Sequence, residues 1–369
     1  MKIKIVRSKL IDALKAVQNI VGGKVTSEIL QNTLIEAKEG KVTFSTSDLD
    51  ISVRTSVECE VAEEGATTLP VRLLFNSIAK AAEGEIEISV DSSERASIYA
   101  GSAKFRIGGM PAKDFPVFPE SKDPKDFKIE KAVLREMFRK TAYAASQDDT
   151  RRPLKGVLMR FKDAKLTMVA TDGRRLALVE HEVEFPQSEE LDLILPAKTV
   201  AELQRSLVDE GDVAIKVQKS QATFALDGIT IYSKLIDDVY PNFMQVIPKE
   251  RTETIEVDRQ LLIDALERAS IMPGGMQADR SHSAKLVFCD NELTVSSEAC
   301  DIGEAKDVVP IKYGGERMEM MYNPLYIIEC LKSIDDDEIS IDINDPHKPA
   351  VIRCSIPFVY VIMPLRINS

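Results

Sequence analysis

The strongest constraint on the fold of this chain is an internal repeat that occurs three times. Amphipathic helices are predicted around Leu10, Leu134 and Leu262, because apolar residues recur there every three or four positions. These three leucines lie 124 and 128 residues apart. Since solenoid units are only about 20–50 residues long, each copy is expected to fold as a domain of its own.

The later parts of the three copies keep the same order of predicted elements. Each copy has a strand that runs into a turn, then a proline that begins a second helix, then a strand of alternating apolar and polar residues. These elements lie at 41–50, Pro70 and 85–90 in the first copy, at 165–174, Pro196 and 212–217 in the second, and at 292–301, Pro324 and 338–343 in the third. We therefore expect an α+β fold of three tandem, similar domains, at residues 1–126, 127–252 and 253–369, with linkers near 121–127 and 248–253.

The charge of the chain is divided unevenly among these copies. The whole sequence has 48 Lys and Arg against 60 Asp and Glu, a net charge of −12, and an evenly acidic surface would repel phosphate and anionic lipid. Counted by predicted domain, basic and acidic residues number 17 and 19, 20 and 20, and 11 and 21, so the net charges are −2, 0 and −10. Two interpretations stay open: a basic surface within an acidic whole, or helix faces that meet only solvent.

Several functional classes lack support in the sequence. No apolar run approaches the roughly 20 residues of a membrane span, and the first residues alternate like a strand, so the chain is predicted to be cytoplasmic and without a membrane partner. His181, His282 and His347 fit no metal-binding spacing, and no nucleophile is accompanied by an evident base. We therefore expect no catalytic residue, no metal and no cofactor.

Two segments suggest a binding function. Residues 170–177 (ATDGRRLA) end a predicted strand in a tight turn whose Gly-Arg-Arg is absent from the other two copies, and residues 359–366 (VYVIMPLR) close an apolar strand with Met, Pro, Leu and Arg. Met and Leu adapt to varied apolar side chains, and Arg binds a carboxylate or a peptide carbonyl. A groove for a partner peptide is one interpretation, and a core strand with an unrelated turn is the other.

In these features the chain resembles the bacterial DNA polymerase III beta subunit family, the DNA sliding clamps. The resemblance covers essentially the whole chain, and its carriers are the threefold repeat, the turn at 170–177 and four further segments, at 109–116 (GMPAKDFP), 195–198 (LPAK), 240–243 (YPNF) and 363–366 (MPLR). It implies a head-to-tail homodimer that closes a ring, with antiparallel sheets outside and helices lining the inside, around double-stranded DNA held without regard to sequence. The implied function is to slide along DNA and tether the replicative polymerase, without a catalytic site.

The resemblance also implies partners and site residues. The partners are the polymerase III alpha subunit, the clamp loader complex, and other polymerases and repair proteins that carry a clamp-binding peptide. The peptide is expected in a cleft between the central and C-terminal domains, formed by Leu154, Thr171, Gly173, Arg174, Arg175, Leu176, Pro241, Val246, Val361, Met363, Pro364, Leu365 and Arg366. DNA is expected at Lys24, Arg72, Gln147 and Lys198. The dimer contact is expected at Lys104, Phe105, Arg106, Ile107, Ile271, Met272, Glu298 and Glu304.

An alternative function remains open at this point, namely an α+β cytoplasmic enzyme or a small-molecule-binding module. Two positions depart from the family pattern: Arg174 stands where many relatives have His, and Gln245 replaces a common basic residue. Both positions lie in segments that the resemblance assigns to the peptide cleft.

Overall fold

The structure is a computed structural model of the 369-residue chain. It describes residues 1–22, 27–116, 118, 124–186, 190–208, 210–249, 253–272, 283–299 and 303–365. Two of the predicted site residues, Lys24 and Arg366, lie outside the described residues.

The described residues contain six α-helices and 25 strands in an order that repeats three times. The helices are α1 (Arg7–Gln18), α2 (Val71–Ala79), α3 (Lys131–Thr141), α4 (Ala197–Ser206), α5 (Arg259–Ser270) and α6 (Pro324–Lys332). The strands are β1 (Lys2–Val6), β2 (Asn32–Lys38), β3 (Lys41–Ser47), β4 (Ile51–Glu58), β5 (Glu60–Glu63), β6 (Gly65–Pro70), β7 (Glu85–Val90), β8 (Arg95–Ala100), β9 (Ala103–Gly108), β10 (Lys125–Glu130), β11 (Gly156–Lys162), β12 (Lys165–Thr171), β13 (Arg175–Glu182), β14 (Leu191–Pro196), β15 (Asp212–Gln218), β16 (Gln221–Leu226), β17 (Ile229–Lys234), β18 (Glu253–Asp258), β19 (Ala284–Cys289), β20 (Glu292–Ala299), β21 (Gly303–Lys312), β22 (Met318–Tyr322), β23 (Glu338–Ile343), β24 (Ala350–Arg353) and β25 (Phe358–Ile362).

The predicted α+β repeat is confirmed, with small differences at the helix ends. Leu10, Leu134 and Leu262 are each fully buried on the apolar face of the first helix of their copy. Pro324 begins α6 as predicted, but Pro70 and Pro196 are the last residues of β6 and β14, so α2 and α4 begin one residue later. Proline fits both places, since its fixed φ suits an extended strand end as well as a first helical turn.

The chain divides into two compact units, and the middle copy contributes to both. Unit 1 comprises Met1–Leu134 and Lys198–Leu235, and unit 2 comprises Arg135–Ala197 and Ile236–Ser369. Unit 1 has a five-stranded sheet of order β5-β1-β7-β8-β9 and an eight-stranded sheet of order β10-β15-β16-β17-β4-β3-β2-β6. Unit 2 has one twelve-stranded sheet of order β14-β11-β12-β13-β25-β24-β23-β18-β21-β20-β19-β22. All strand pairs are antiparallel, and the pairs β4–β17 and β13–β25 join strands of different copies.

A cationic residue opens the first helix of every copy, and in the first and third copies it binds main-chain oxygens in the last turn of the second helix. Arg7 donates to the carbonyls of Ile78 (3.1 Å) and Ala79 (2.9 Å), in the last turn of α2. Arg259 does the same with Leu331 of α6 (3.4 Å). A positive charge is favourable there because the last carbonyls of a helix carry partial negative charge. The repeat thus fixes how its two helices meet.

Lys131 is the corresponding residue of the middle copy, and only 1 % of its side chain is exposed. Its ammonium donates to the Glu210 carbonyl at 3.0 Å and pairs with Asp227. Replacing it with Met is expected to lower the free energy of unfolding by about 1–3 kcal/mol, because hydrogen-bond partners are left unsatisfied. Lys128→Met is the matched control: Lys128 is 73 % exposed in its pair with Asp212, and exposed pairs contribute little to stability. Urea unfolding measures both changes, and equal effects would contradict the assigned role of Lys131.

Candidate functional site

A tight turn between β12 and β13 forms one wall of a candidate groove in unit 2. The Gly173 amide donates to Thr171 Oγ1 at 3.1 Å, and the amides of Arg174 and Arg175 donate to Asp172 Oδ1 at 2.9 and 3.0 Å. Gly173 has φ +86°, and a Cβ there would lie 2.7 Å from the Arg151 guanidinium. Glycine adopts this left-handed conformation without strain, and a larger side chain here would have to displace the Arg151 guanidinium.

The guanidinium of Arg175 lies beneath this turn and is 8 % exposed. It binds Asp172 at 3.0 Å, donates to the Tyr143 carbonyl at 2.7 Å, pairs with Glu329 and stacks on the Tyr326 ring at 4.2 Å. Burial works against its charged form, but the neighbouring Tyr360, Glu329 and Asp172 outweigh that effect and raise the pKa of Arg175. All these partners are internal, so Arg175 holds the turn in place and does not present its charge at the surface.

The floor of the groove is a buried apolar cluster formed by strands of the middle and last copies. Leu176 and Val361 stand directly opposite each other in β13 and β25, and both are 2 % exposed. They belong to a cluster of Leu158, Val169, Leu176, Leu178, Ile194, Phe243, Val351 and Val361. Tyr240 packs against this cluster with its hydroxyl 3.4 Å from the Val169 carbonyl, and burial raises the pKa of Tyr240.

Exposed apolar side chains lie close in sequence to Phe243 and Val361 of this cluster. Met363 is 41 % exposed, and its amide donates to the Arg174 carbonyl at 2.9 Å, which ties the chain end to the turn. Val246 and Met244 are 49 % and 57 % exposed on the segment after Pro241. Both segments that supply residues to the floor therefore also expose apolar side chains, which favours a site that binds another molecule.

The structure brings most of the predicted peptide residues together in unit 2, in different environments. Arg174, Gly173, Pro241, Val246 and Met363 are exposed, Thr171, Pro364 and Leu365 are partly buried, and Leu154, Arg175, Leu176 and Val361 are buried. Sequence reasoning missed Arg151, which donates to the Asp172 carbonyl at 3.1 Å, and the packing residues Tyr240 and Phe243. The segment 240–243 stands out in the sequence only as a family motif, and nothing in the local pattern links Arg151 to the turn.

Two of the predicted DNA residues lie together in unit 1, at the carbonyl end of α1. Arg72 donates to the Val21 carbonyl at 2.7 Å, and Lys198 lies 3.5 Å from the Ile20 carbonyl and pairs with Asp48. Both remain exposed. Gln147 is an exposed residue of unit 2.

The predicted dimer residues lie on strand β9, at the end of helix α5 and on the neighbouring strands β20 and β21. Within β9, Ile107 is buried and Phe105 partly buried, whereas Lys104 and Arg106 are exposed. Ile271, just after α5, is 70 % exposed, and Met272 is partly buried. Glu298 and Glu304 are both exposed and directly opposite each other in β20 and β21, a like-charged pair that is unfavourable on its own.

Comparison with known proteins identifies the family. Three family models match consecutive parts of the chain: the DNA polymerase III beta subunit N-terminal domain at residues 1–119, its central domain at 128–242 and its C-terminal domain at 244–366. The beta sliding clamp of Chlamydia muridarum is 31% identical over 369 residues, covering 100% of both chains. The chain belongs to the DNA polymerase III beta subunit family.

Solved structures of the family have the same fold as this chain. A sliding clamp of Bartonella birtlesii bound to griselimycin matches with a TM-score of 0.94 and 31% identity, and a DNA polymerase sliding clamp of Pseudomonas aeruginosa with a TM-score of 0.93 and 27% identity. Each match covers 100% of both chains. The resemblance inferred from the sequence and the three-domain clamp fold are therefore confirmed.

Family membership also decides between the two functional classes left open by the sequence. The matched proteins are sliding clamps, which are processivity factors without catalytic activity, so the alternative of an enzyme or a small-molecule module has no support. No group of three or more potential metal-ligating side chains occurs among the described residues, and none of the helices described is long and apolar enough to span a bilayer. The roles of individual residues stay predictions.

Proposed function

We propose that this chain is a DNA sliding clamp that encircles duplex DNA in the cytoplasm, slides along it and tethers the replicative polymerase. The observation that carries this proposal is the match to solved sliding clamps along the whole length of both chains. The clamp holds DNA by topology, so a tight grip on the duplex is not needed. Lys and Arg contacts to phosphate are independent of sequence and permit sliding.

The function is tested by primer extension with the polymerase and clamp loader of the same organism. With excess unlabelled template present to capture released polymerase, adding the clamp is expected to lengthen the products made in one binding event. The control is the same reaction without the loader, in which products should stay short. Equal lengths with and without the clamp, in the presence of the loader, would contradict the proposal.

The ring is proposed to form from two chains that meet head to tail. β9 ends its sheet, and β21 pairs with β18 only at Ile311 and Lys312, so within the described residues both strands have an open edge. An open edge is available for pairing with another chain. Charge favours this pairing, because exposed Lys104 and Arg106 would face Glu298 and Glu304 and relieve their repulsion. Two equal contacts of this kind close the dimer.

Reversing the charges on β9 is expected to weaken the dimer. The double change Lys104→Glu and Arg106→Glu should raise the dimer dissociation constant by at least about tenfold, and the further change of Glu298 and Glu304 to Lys should restore it. Sedimentation distinguishes the dimer from the 41.0 kDa monomer. Lys38→Glu, at a site 72 % exposed, is the control. Failure of the second pair of changes to restore the dimer would contradict this contact.

DNA contact is proposed for Arg72, Lys198, Lys24 and Gln147. The carbonyl hydrogen bonds of Arg72 and Lys198 support this in part, since they hold two exposed cations beside the same helix end. The proposed partners of the groove in unit 2 are the polymerase III alpha subunit, the clamp loader, and other polymerases and repair proteins, each through a short peptide. The apolar floor and exposed Met363 and Val246 support an apolar peptide, because a few buried anchors dominate such binding.

A further inference from the structure

Unit 1 contains a second groove built on the same hydrogen-bond frame as the groove in unit 2. Its turn, at residues 47–51, has the same hydrogen bonds as the turn at 171–175. The Leu49 amide donates to Ser47 Oγ at 3.1 Å, and the amides of Asp50 and Ile51 donate to Asp48 Oδ1 at 3.0 and 2.8 Å. The Lys234 amide then donates to the Asp50 carbonyl at 2.8 Å, as Met363 does to Arg174. Leu49 occupies the place of Gly173 and has a φ of +78°.

Strand register makes this equivalence exact enough to compare the two grooves residue by residue. Ser52 pairs with Tyr232 across β4 and β17, where Leu176 pairs with Val361 across β13 and β25. Two residues further along, Arg54 stands in the place of Leu178. The frame is therefore repeated, but the apolar floor of the unit 2 groove is replaced by polar or aromatic residues in unit 1.

Arg54, at the register position of the apolar Leu178, stacks on a pair of aromatic rings. Its guanidinium lies 4.3 Å from the centre of the Phe118 ring, and Phe118 lies 5.4 Å from the Tyr232 ring. Arg54 Nε also donates to Ser45 Oγ at 3.3 Å. The groove beside this stack has a volume of about 510 Å³, and Tyr232 lines it together with apolar Leu49, Pro116 and Leu235 and with polar Ser47, Ser52, Ser220 and Ser233. An apolar side chain placed against Arg54 would desolvate its guanidinium without replacing the hydrogen bonds that this group makes with water.

We infer that the stack of Arg54, Phe118 and Tyr232 closes this repeated groove to apolar peptides, so that each chain has one peptide site although its fold supplies the frame for two. Arg54 is thus a specificity-determining residue outside the proposed cleft. The inference rests on the proposed function of the unit 2 groove, because it takes the apolar peptide as the ligand to be excluded. The frame itself serves to join strands of different copies, and only the lining decides whether a peptide binds.

The test is an exchange of lining residues between the two grooves, with a fluorescent peptide that carries the partners' clamp-binding motif as the probe. The double variant Arg54→Leu and Tyr232→Val gives unit 1 two of the three apolar residues compared above, and calorimetry is expected to find two peptides per chain where the unchanged chain binds one. Leu178→Arg gives unit 2 the closing cation and is expected to weaken its binding by at least about tenfold, the effect of losing one apolar anchor. Arg54→Ala, which removes the cation without adding bulk, provides a second opening variant.

Three results of these experiments would overturn the inference. The first is two peptide sites on the unchanged chain. The second is a single site on both opening variants although they are folded. The third is undiminished peptide binding by folded Leu178→Arg. Circular dichroism and thermal unfolding establish that each variant is folded. A failure of the proposed function looks different, because the unchanged chain would then bind no motif peptide, or would bind it with an affinity insensitive to Met363→Ala.

Discussion

Replacing Met363 with Ala is expected to weaken binding of a motif peptide by about tenfold, and replacing Val246 as well should weaken it further. Each truncation removes an apolar contact worth roughly 1–2 kcal/mol when a ligand covers it. Both side chains are about half exposed in the free chain, so the free energy of unfolding should change little. Fluorescence anisotropy of the labelled peptide measures the affinity.

The matched control for Met363→Ala is Ile356→Ala, an apolar residue of unit 2 that is 36 % exposed and precedes β25. It should leave peptide affinity unchanged. Equal effects of Met363→Ala and Ile356→Ala would mean that exposed apolar area in general, and not this groove, determines binding. Unchanged affinity in the Met363 and Val246 double variant would reject the groove.

Replacing Arg175 with Met is expected to lower the free energy of unfolding by about 3 kcal/mol and to weaken peptide binding together with it. Removing one member of a buried ion pair leaves the others without compensation, and Asp172 would lose the partner that helps fix the turn beside the groove. Arg175→Lys should restore little, because an ammonium cannot reproduce the planar fork that reaches Asp172, Glu329 and the Tyr143 carbonyl at once.

Arg174→Met provides the comparison for Arg175, since Arg174 is the adjacent residue and its side chain is exposed. Its loss should cost less than about 1 kcal/mol of stability. Urea unfolding of the two variants separates an internal positioning role from a surface role. If Arg175→Met unfolds at the same urea concentration as the unchanged chain, the positioning role is wrong.

The fold could be predicted from the sequence to the extent that local patterns determine it. The burial of Leu10, Leu134 and Leu262 follows from helical spacing alone. The two-unit division does not follow, because it depends on β4 pairing with β17 and β13 with β25, and edge pairing between distant strands leaves no periodic trace. The sequence pattern places the start of α2 one residue too early, because Pro70 fits the end of a strand and the start of a helix equally well.

The candidate site shows a similar limit. An apolar terminal strand and a known motif place Met363 and Leu176 among the predicted peptide residues, and their part in binding stays a prediction. Arg175 was expected to contact a peptide, but Tyr143 and Glu329, which are 32 and 154 residues away in sequence, surround it in the fold. The second frame at residues 47–51 is not apparent from the sequence, because the residues that line its groove differ chemically from those of the unit 2 groove. The shared pattern of a hydroxyl residue followed by Asp, at Ser47-Asp48 and Thr171-Asp172, was the available signal.

The most direct test of the account compares retention of the dimer on closed circular and linear DNA after the clamp loader has acted. Clamps on a closed circle should survive a wash at high salt, where screening weakens phosphate contacts, and should be lost when a single cut linearises the circle. Retention that is equal on both forms, or loss at high salt from both, would show that electrostatic contact and not enclosure holds the DNA, and would contradict the proposed function.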